Sequence, residues 1–193
     1  MKRVFIIHGW SGYPEECWFP WLKKELENKG FQVHVPSMPN TEEPIINRWV
    51  HFLKKQVGTP DEETFFVGHS IGCQTILRYL GSLEPHTKVG GVILVAGFIH
   101  LKPIIKENKE DYEIAKPWLE TPIYWDKILT HTNRFVSIFS DNDRWVPVED
   151  SKIFEKKLKS KTIIEHNKGH MGASDNVPEL PVVLDELLKM DKE

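Results

Sequence analysis

A chain of 193 residues with 40% hydrophobic and 27% charged residues has the length and composition of one soluble globule with a sizeable core, and is short for two domains. The net charge of -3, with no basic block or stripe, argues against nucleic acid as the main partner. No apolar run is long enough to span a bilayer, so no membrane partner is expected.

At the N-terminus, Met1-Lys2-Arg3 followed by Val4 to Ile7 imitates the start of a signal peptide. The apolar run stops at His8-Gly9, too short for the hydrophobic region of one. The two cysteines, Cys17 and Cys73, form no CxxC pair and no disulfide framework. They read as reduced thiols, and the expected location is cytoplasmic.

Short β-rich runs alternate with longer helical patterns along the chain. The first strand is expected over Arg3–Ile7, then a helix over Trp18–Lys29 closed by Gly30. A strand over Phe31–Val35 follows, and a helix over Pro44–Val57 comes after a Pro/Asn/Thr turn cluster. The third strand, Thr64–Val67, runs through Gly68-His69-Ser70 into a helix over Ile71–Leu83. Further strands are expected over Gly91–Val95, Arg134–Phe139 and Thr162–Glu165. Helices over Glu149–Leu158 and Pro178–Met190 follow the last two. Several strands are nearly continuous apolar runs, as parallel strands covered on both faces are. The fold expected is α/β, with a doubly wound, mostly parallel sheet of about six strands flanked by helices in a single domain over residues 1–193. One connection, between Val95 and Arg134, is longer than a crossover helix needs. Its residues 97–133 include Trp118, Tyr124 and Trp125 and form either a small lid or a helix with an irregular surface loop.

Gly68-His69-Ser70-Ile71-Gly72 matches G-x-S-x-G at a strand-to-helix corner, the setting of a nucleophile elbow. A side chain two positions either side of the serine would collide in so tight a turn, and both positions are glycine. The helix that follows points its N-terminus at the serine, where its dipole favours developing negative charge. A serine hydroxyl needs a base, and the base needs an orienting carboxylate. On this fold the chain order is serine, acid, histidine, and both partners follow in that order. After "RFVSIFS" come Asp141 and Asp143; after "KTIIE" come His166 and His170. Each pair lies at the C-terminal end of its strand, the sheet edge that Ser70 occupies. Asp141 competes with Asp143 and His166 with His170, although His170 lies beyond a glycine turn and can reach back over the edge. His166-x-x-x-His170 has the spacing of a helical metal pair, but Asn167-Lys168-Gly169 between them argues against a helix. No zinc-spaced cluster occurs elsewhere, so neither metal nor other cofactor is expected. For an oxyanion hole, the backbone N–H of Ile71 is one expected donor. The other is the N–H of Trp10, with Ser11 behind it, on the loop after the first strand. Trp10, Trp18, Phe98, Trp118, Trp125 and Trp145 are candidates to line an apolar acyl pocket. Cys73, one helical turn beyond Ser70, reads as a buried helix residue rather than a second nucleophile.

Five stretches, "IIHGWSGYPEECWFPWLKKELENKGFQVHVPSMPN", "VGHSIGCQTILRYL", "GGVILVAGF", "SDNDRWVP" and "KGHMGASDNVPELPVVLDELL", together resemble the small single-domain serine hydrolases of the YdeN and retinoblastoma-binding protein 9 type. The resemblance covers nearly the whole chain in order, and "CWFPWLKKEL" is more specific than the elbow. It implies a minimal α/β-hydrolase fold without the first two strands of larger members. It also implies a triad with Ser70 as nucleophile, His170 as base and Asp143, three places before Val146-Pro147, as acid. The partner-binding motif of the mammalian member is not evident here. The activity expected is that of a carboxylesterase acting on a small-molecule ester through an acyl-enzyme. The alternatives are a thioesterase or amidase with the same residues, and a hydrolase-fold binding protein with a vestigial triad.

Overall fold

The structure, a computed structural model, describes residues 1–192. Six strands form one sheet: β1 (Arg3–Ile7), β2 (Gln32–His34), β3 (Thr64–His69), β4 (Gly91–Val95), β5 (Phe135–Ser140) and β6 (Lys161–Glu165). Their spatial order is β2-β1-β3-β4-β5-β6. Every neighbouring pair is parallel, so the sheet is wholly and not merely mostly parallel. The helices are α1 (Phe19–Glu27), α2 (Ile46–Val57), α3 (Ile71–Leu80), α4 (Lys109–Glu120), α5 (Trp125–Leu129), α6 (Asp150–Leu158) and α7 (Pro181–Met190).

The continuous apolar runs have the expected cause. Along β1, Val4 and Ile6 face one layer while Phe5 and Ile7 face the other. The β4 residues divide in the same way, Ile93 and Val95 against Val92 and Leu94. Trp18, Phe19, Leu22 and Leu26 with Val183 and Leu187 cover the first face, from α1 and α7. Trp49, Leu53, Ile76, Leu77, Phe154 and Leu158 cover the second, from α2, α3 and α6. A strand sandwiched between helices shows no alternation, because both of its faces are core. Each fully buried Phe, Leu or Ile contributes about 1.5–3 kcal/mol. The edge strand β6 keeps Lys161 and Ile164 exposed.

The helix boundaries depart from expectation for local reasons. α2 starts at Ile46 because Ile45 is extended. α7 starts at Pro181 rather than Pro178, since a residue before proline is kept out of the helical region, and Leu180 lies outside it with φ -136° and ψ 76°. α3 stops at Leu80, and Gly81 caps it.

The long connection resolves into a 3₁₀ turn (Pro103–Glu107), α4 and α5. It is strapped down at several points. Asp150 on α6, 1% exposed, accepts the N–H groups of Ile99 and His100 at 2.6 and 2.7 Å. Arg78 on α3 donates to the carbonyls of Trp118, Thr121 and Pro122. No helix among the described residues is long and apolar enough to cross a membrane.

Candidate active site

Ser70 sits between the last residue of β3 and the first of α3 with φ 53° and ψ -120°. A non-glycine residue adopts such a conformation only where the surroundings over-determine it. Here the Ser70 N–H is held by the Val95 carbonyl of β4 at 2.9 Å, and its own carbonyl takes the Cys73 N–H at 3.0 Å. A β-carbon at Gly68 would stand 2.8 Å from the Cys73 backbone, and one at Gly72 would run into the Ile7 carbonyl. The two glycines are what let helix α3 and strand β1 close around the turn.

The loops after β5 and β6 bring the other partners to the same edge. His170 Nε2 lies 2.9 Å from Ser70 Oγ, and His170 Nδ1 lies 2.7 Å from Asp143 Oδ2. The other Asp143 oxygen accepts the N–H groups of Trp145 and Val146 at 2.8 and 3.0 Å. Burial pushes the Asp143 carboxyl upward, but the His170 hydrogen bond, its charge and the two amides together hold it below the ordinary carboxylate value. An ionised carboxylate there keeps the Nδ1 hydrogen on the imidazole and leaves Nε2 free to accept from Ser70.

The two competing pairs take different places in the structure. Asp143 is 3% exposed and faces the imidazole. Asp141 is solvent-exposed and joins His166 Nδ1 at 2.6 Å and the Asn167 N–H at 2.9 Å. Asp141 and His166 thus pair with each other, outside the triad geometry. Cys73 is wholly buried, and burial pushes its thiol well above the ordinary range. Among the described residues no three His, Cys, Asp or Glu side chains are grouped to hold a metal ion.

A cavity of about 440 Å³ opens beside Ser70 and His170, with Trp10, Ile71, Phe98, Leu101, Ile105 and Trp145 in its walls. Of the six aromatic candidates, Trp10, Phe98 and Trp145 line it. The other three do not. Trp18 is buried under the sheet and donates to the Met171 carbonyl. Trp118 is buried on the other layer and donates to Pro44. Trp125 packs edge-on against Phe154. Trp10 and Ile71 both border the cavity, and the N–H of neither has a hydrogen-bond partner among the described residues. The Ser11 N–H is taken by the Thr41 carbonyl at 2.9 Å.

Several residues around the triad carry no motif that the sequence alone exposes. Ser140 Oγ and Asn142 Oδ1 receive the N–H groups of Lys168 and Gly169. Asp175 accepts the N–H groups of His170 and Gly172. Buried His8 donates from Nδ1 to the Gly9 carbonyl and accepts the Met38 N–H at Nε2. The Ser140, Asn142 and His8–Met38 bonds join loops 27 to 30 residues apart in the chain, and no fixed spacing announces them.

A parallel sheet with a serine on a strained strand-to-helix corner, met there by an imidazole and a carboxylate, defines the α/β-hydrolase class. The chain belongs to the serine hydrolase family, whose sequence profile it matches over residues 4–189. It is 32% identical over 186 residues to YdeN of Bacillus subtilis (strain 168), covering 96% of this chain and 94% of that one. It is 27% identical over 174 residues to the serine hydrolase RBBP9 of Rattus norvegicus, covering 87% and 86%. The crystal structure of the B. subtilis ydeN product superposes with a TM-score of 0.91 at 30% identity, over the full length of both chains. The expected family and fold are thus shown.

Proposed function

We propose that this serine hydrolase cleaves carboxylic esters of small molecules through an acyl-enzyme on Ser70. The observation that carries the reading is the unbroken line Ser70 Oγ, His170 Nε2, His170 Nδ1, Asp143 Oδ2, with links of 2.9 and 2.7 Å. In this reaction Ser70 Oγ attacks the ester carbonyl carbon as His170 Nε2 takes its proton. Asp143 stabilises the imidazolium that forms. The oxyanion of the tetrahedral intermediate takes hydrogen bonds from the N–H groups of Ile71 and Trp10. Removing a donor of this kind costs about 2.7–4 kcal/mol of transition-state stabilisation. Collapse breaks the carbon–oxygen bond to the alcohol, which leaves with the proton from His170. Water, deprotonated by His170, then attacks the acyl-serine, and the carboxylic acid leaves as Ser70 recovers its proton. The chemistry runs on these residues without a cofactor. Segment 97–133 acts as a fixed roof over the acyl cavity, supplying Phe98, Leu101 and Ile105.

A panel of esters from acetyl to decanoyl, with a matched thioester and anilide, tests this. Turnover of short esters by the wild type, and a loss of about 10⁴-fold or more in Ser70→Ala, is the expected result. Turnover of the thioester or anilide alone would reassign the leaving group. No turnover of any substrate would favour a binding protein on this fold.

A further inference from the structure

His69, the residue before the nucleophile, is 3% exposed and its ring is enclosed by Trp18, Phe19 and His170. Its Nε2 lies 2.9 Å from the backbone carbonyl of His170. A carbonyl only accepts, so Nε2 carries the hydrogen. Its Nδ1 has no partner, and a β-carbon at position 9 would crowd it at 3.1 Å. An unpaired buried polar atom is destabilising, and a hydrophobic residue here would avoid that cost.

We propose that His69 is a positioning residue: its Nε2–H grips the main chain of His170 and thereby sets the approach of the His170 imidazole to Ser70 Oγ. The inference rests on the proposed role of Ser70 and His170 and adds a member to that site. The base stands on a loop that needs such a grip. Asn167, Gly169 and Met171 all have left-handed backbone conformations around it. Asp175 holds the His170 N–H from one side, and Trp18 holds the Met171 carbonyl at 3.0 Å. His69, which adjoins the nucleophile, ties the main chain of this loop to the elbow. Positions 69 and 170, a hundred residues apart, become a single mechanical unit.

The grip has to be electrically silent. The His69 and His170 rings are 5.0 Å apart between centroids. A second imidazolium at that distance would oppose the positive charge that His170 acquires when it takes the serine proton. Burial first, and then the neighbouring His170, hold His69 down to about 3. A neutral His69 donates its one hydrogen to the His170 carbonyl.

The test compares His69→Gln, whose amide N–H can reach the position of Nε2, with His69→Asn, whose shorter side chain cannot, and with His69→Leu, which has no donor. For a short neutral ester, Leu and Asn are expected to lower kcat about 10²-fold, the usual effect of an ångström-scale misplacement, with KM little changed. Gln should recover most of the loss, and all three should keep the wild-type circular dichroism. If Leu fails to fold, the Gln and Asn pair still decides. Equal kcat in Gln and Asn, or full activity in Leu, would overturn the tether while leaving the ester reading intact. An inert wild type would instead overturn the ester reading, and the tether with it.

Discussion

Glu16 is a carboxylate only 8% exposed, in the wall of the cavity beside Ser70, and no cation pairs with it among the described residues. Burial pushes its carboxyl up to about 7, against a smaller opposing pull from the Tyr13 backbone N–H. The folded protein thus keeps this proton to about pH 7, whereas the unfolded chain releases it near 4.5. A raised folded value makes the neutral acid's contribution complete below about pH 4.5 and progressively lost as pH rises through 7. The loss is on the order of 1–3 kcal/mol. Glu16→Gln removes the charge that causes it. Its stability relative to wild type, from urea unfolding, should be more favourable at pH 8 than at pH 4.5. The same difference at both pH values would show that Glu16 does not titrate in this way.

The elements decide which aspartate meets the His170 imidazole. β5 ends at Ser140, and the next three residues turn over the sheet edge. Asp141, the first of them, faces out and ties the loops after β5 and β6 through Asn167 and His166. Asp143 comes after the turn and is buried beneath it. Asp143→Asn should lower kcat on the order of 10⁴-fold, because an amide does not hold the imidazole in the required tautomer. Asp141→Asn should leave kcat unchanged. Steady-state kinetics on the two variants checks both, and the reverse ranking would move the acid to Asp141. Much of this scale was legible beforehand. Apolar runs marked the strands because both faces of a central parallel strand are core, and G-x-S-x-G marked the elbow because its glycines answer a local collision. The tryptophans were not legible. Trp18, Trp118 and Trp125 carry the same side chain as Trp10 and Trp145, and only the packing of the layers decides which of them reach the cavity. His69 was hidden for a related reason, since its partner lies on a loop a hundred residues away.

At the scale of the whole molecule, the parallel sheet does the assembling. Parallel strands all end on one edge, so the loops after β1, β3, β5 and β6 meet there; they deliver Trp10, Ser70 and His170 to one cavity and Asp143 to the far side of the His170 imidazole. This convergence is expected to make Ser70, and no other residue, a nucleophile. Intact-protein mass spectrometry after treatment with a fluorophosphonate, followed by peptide mapping, tests it most directly. The expected result is a single adduct on Ser70 in the wild type and no adduct in Ser70→Ala. An adduct on another residue, or an unlabelled folded wild type, would contradict it.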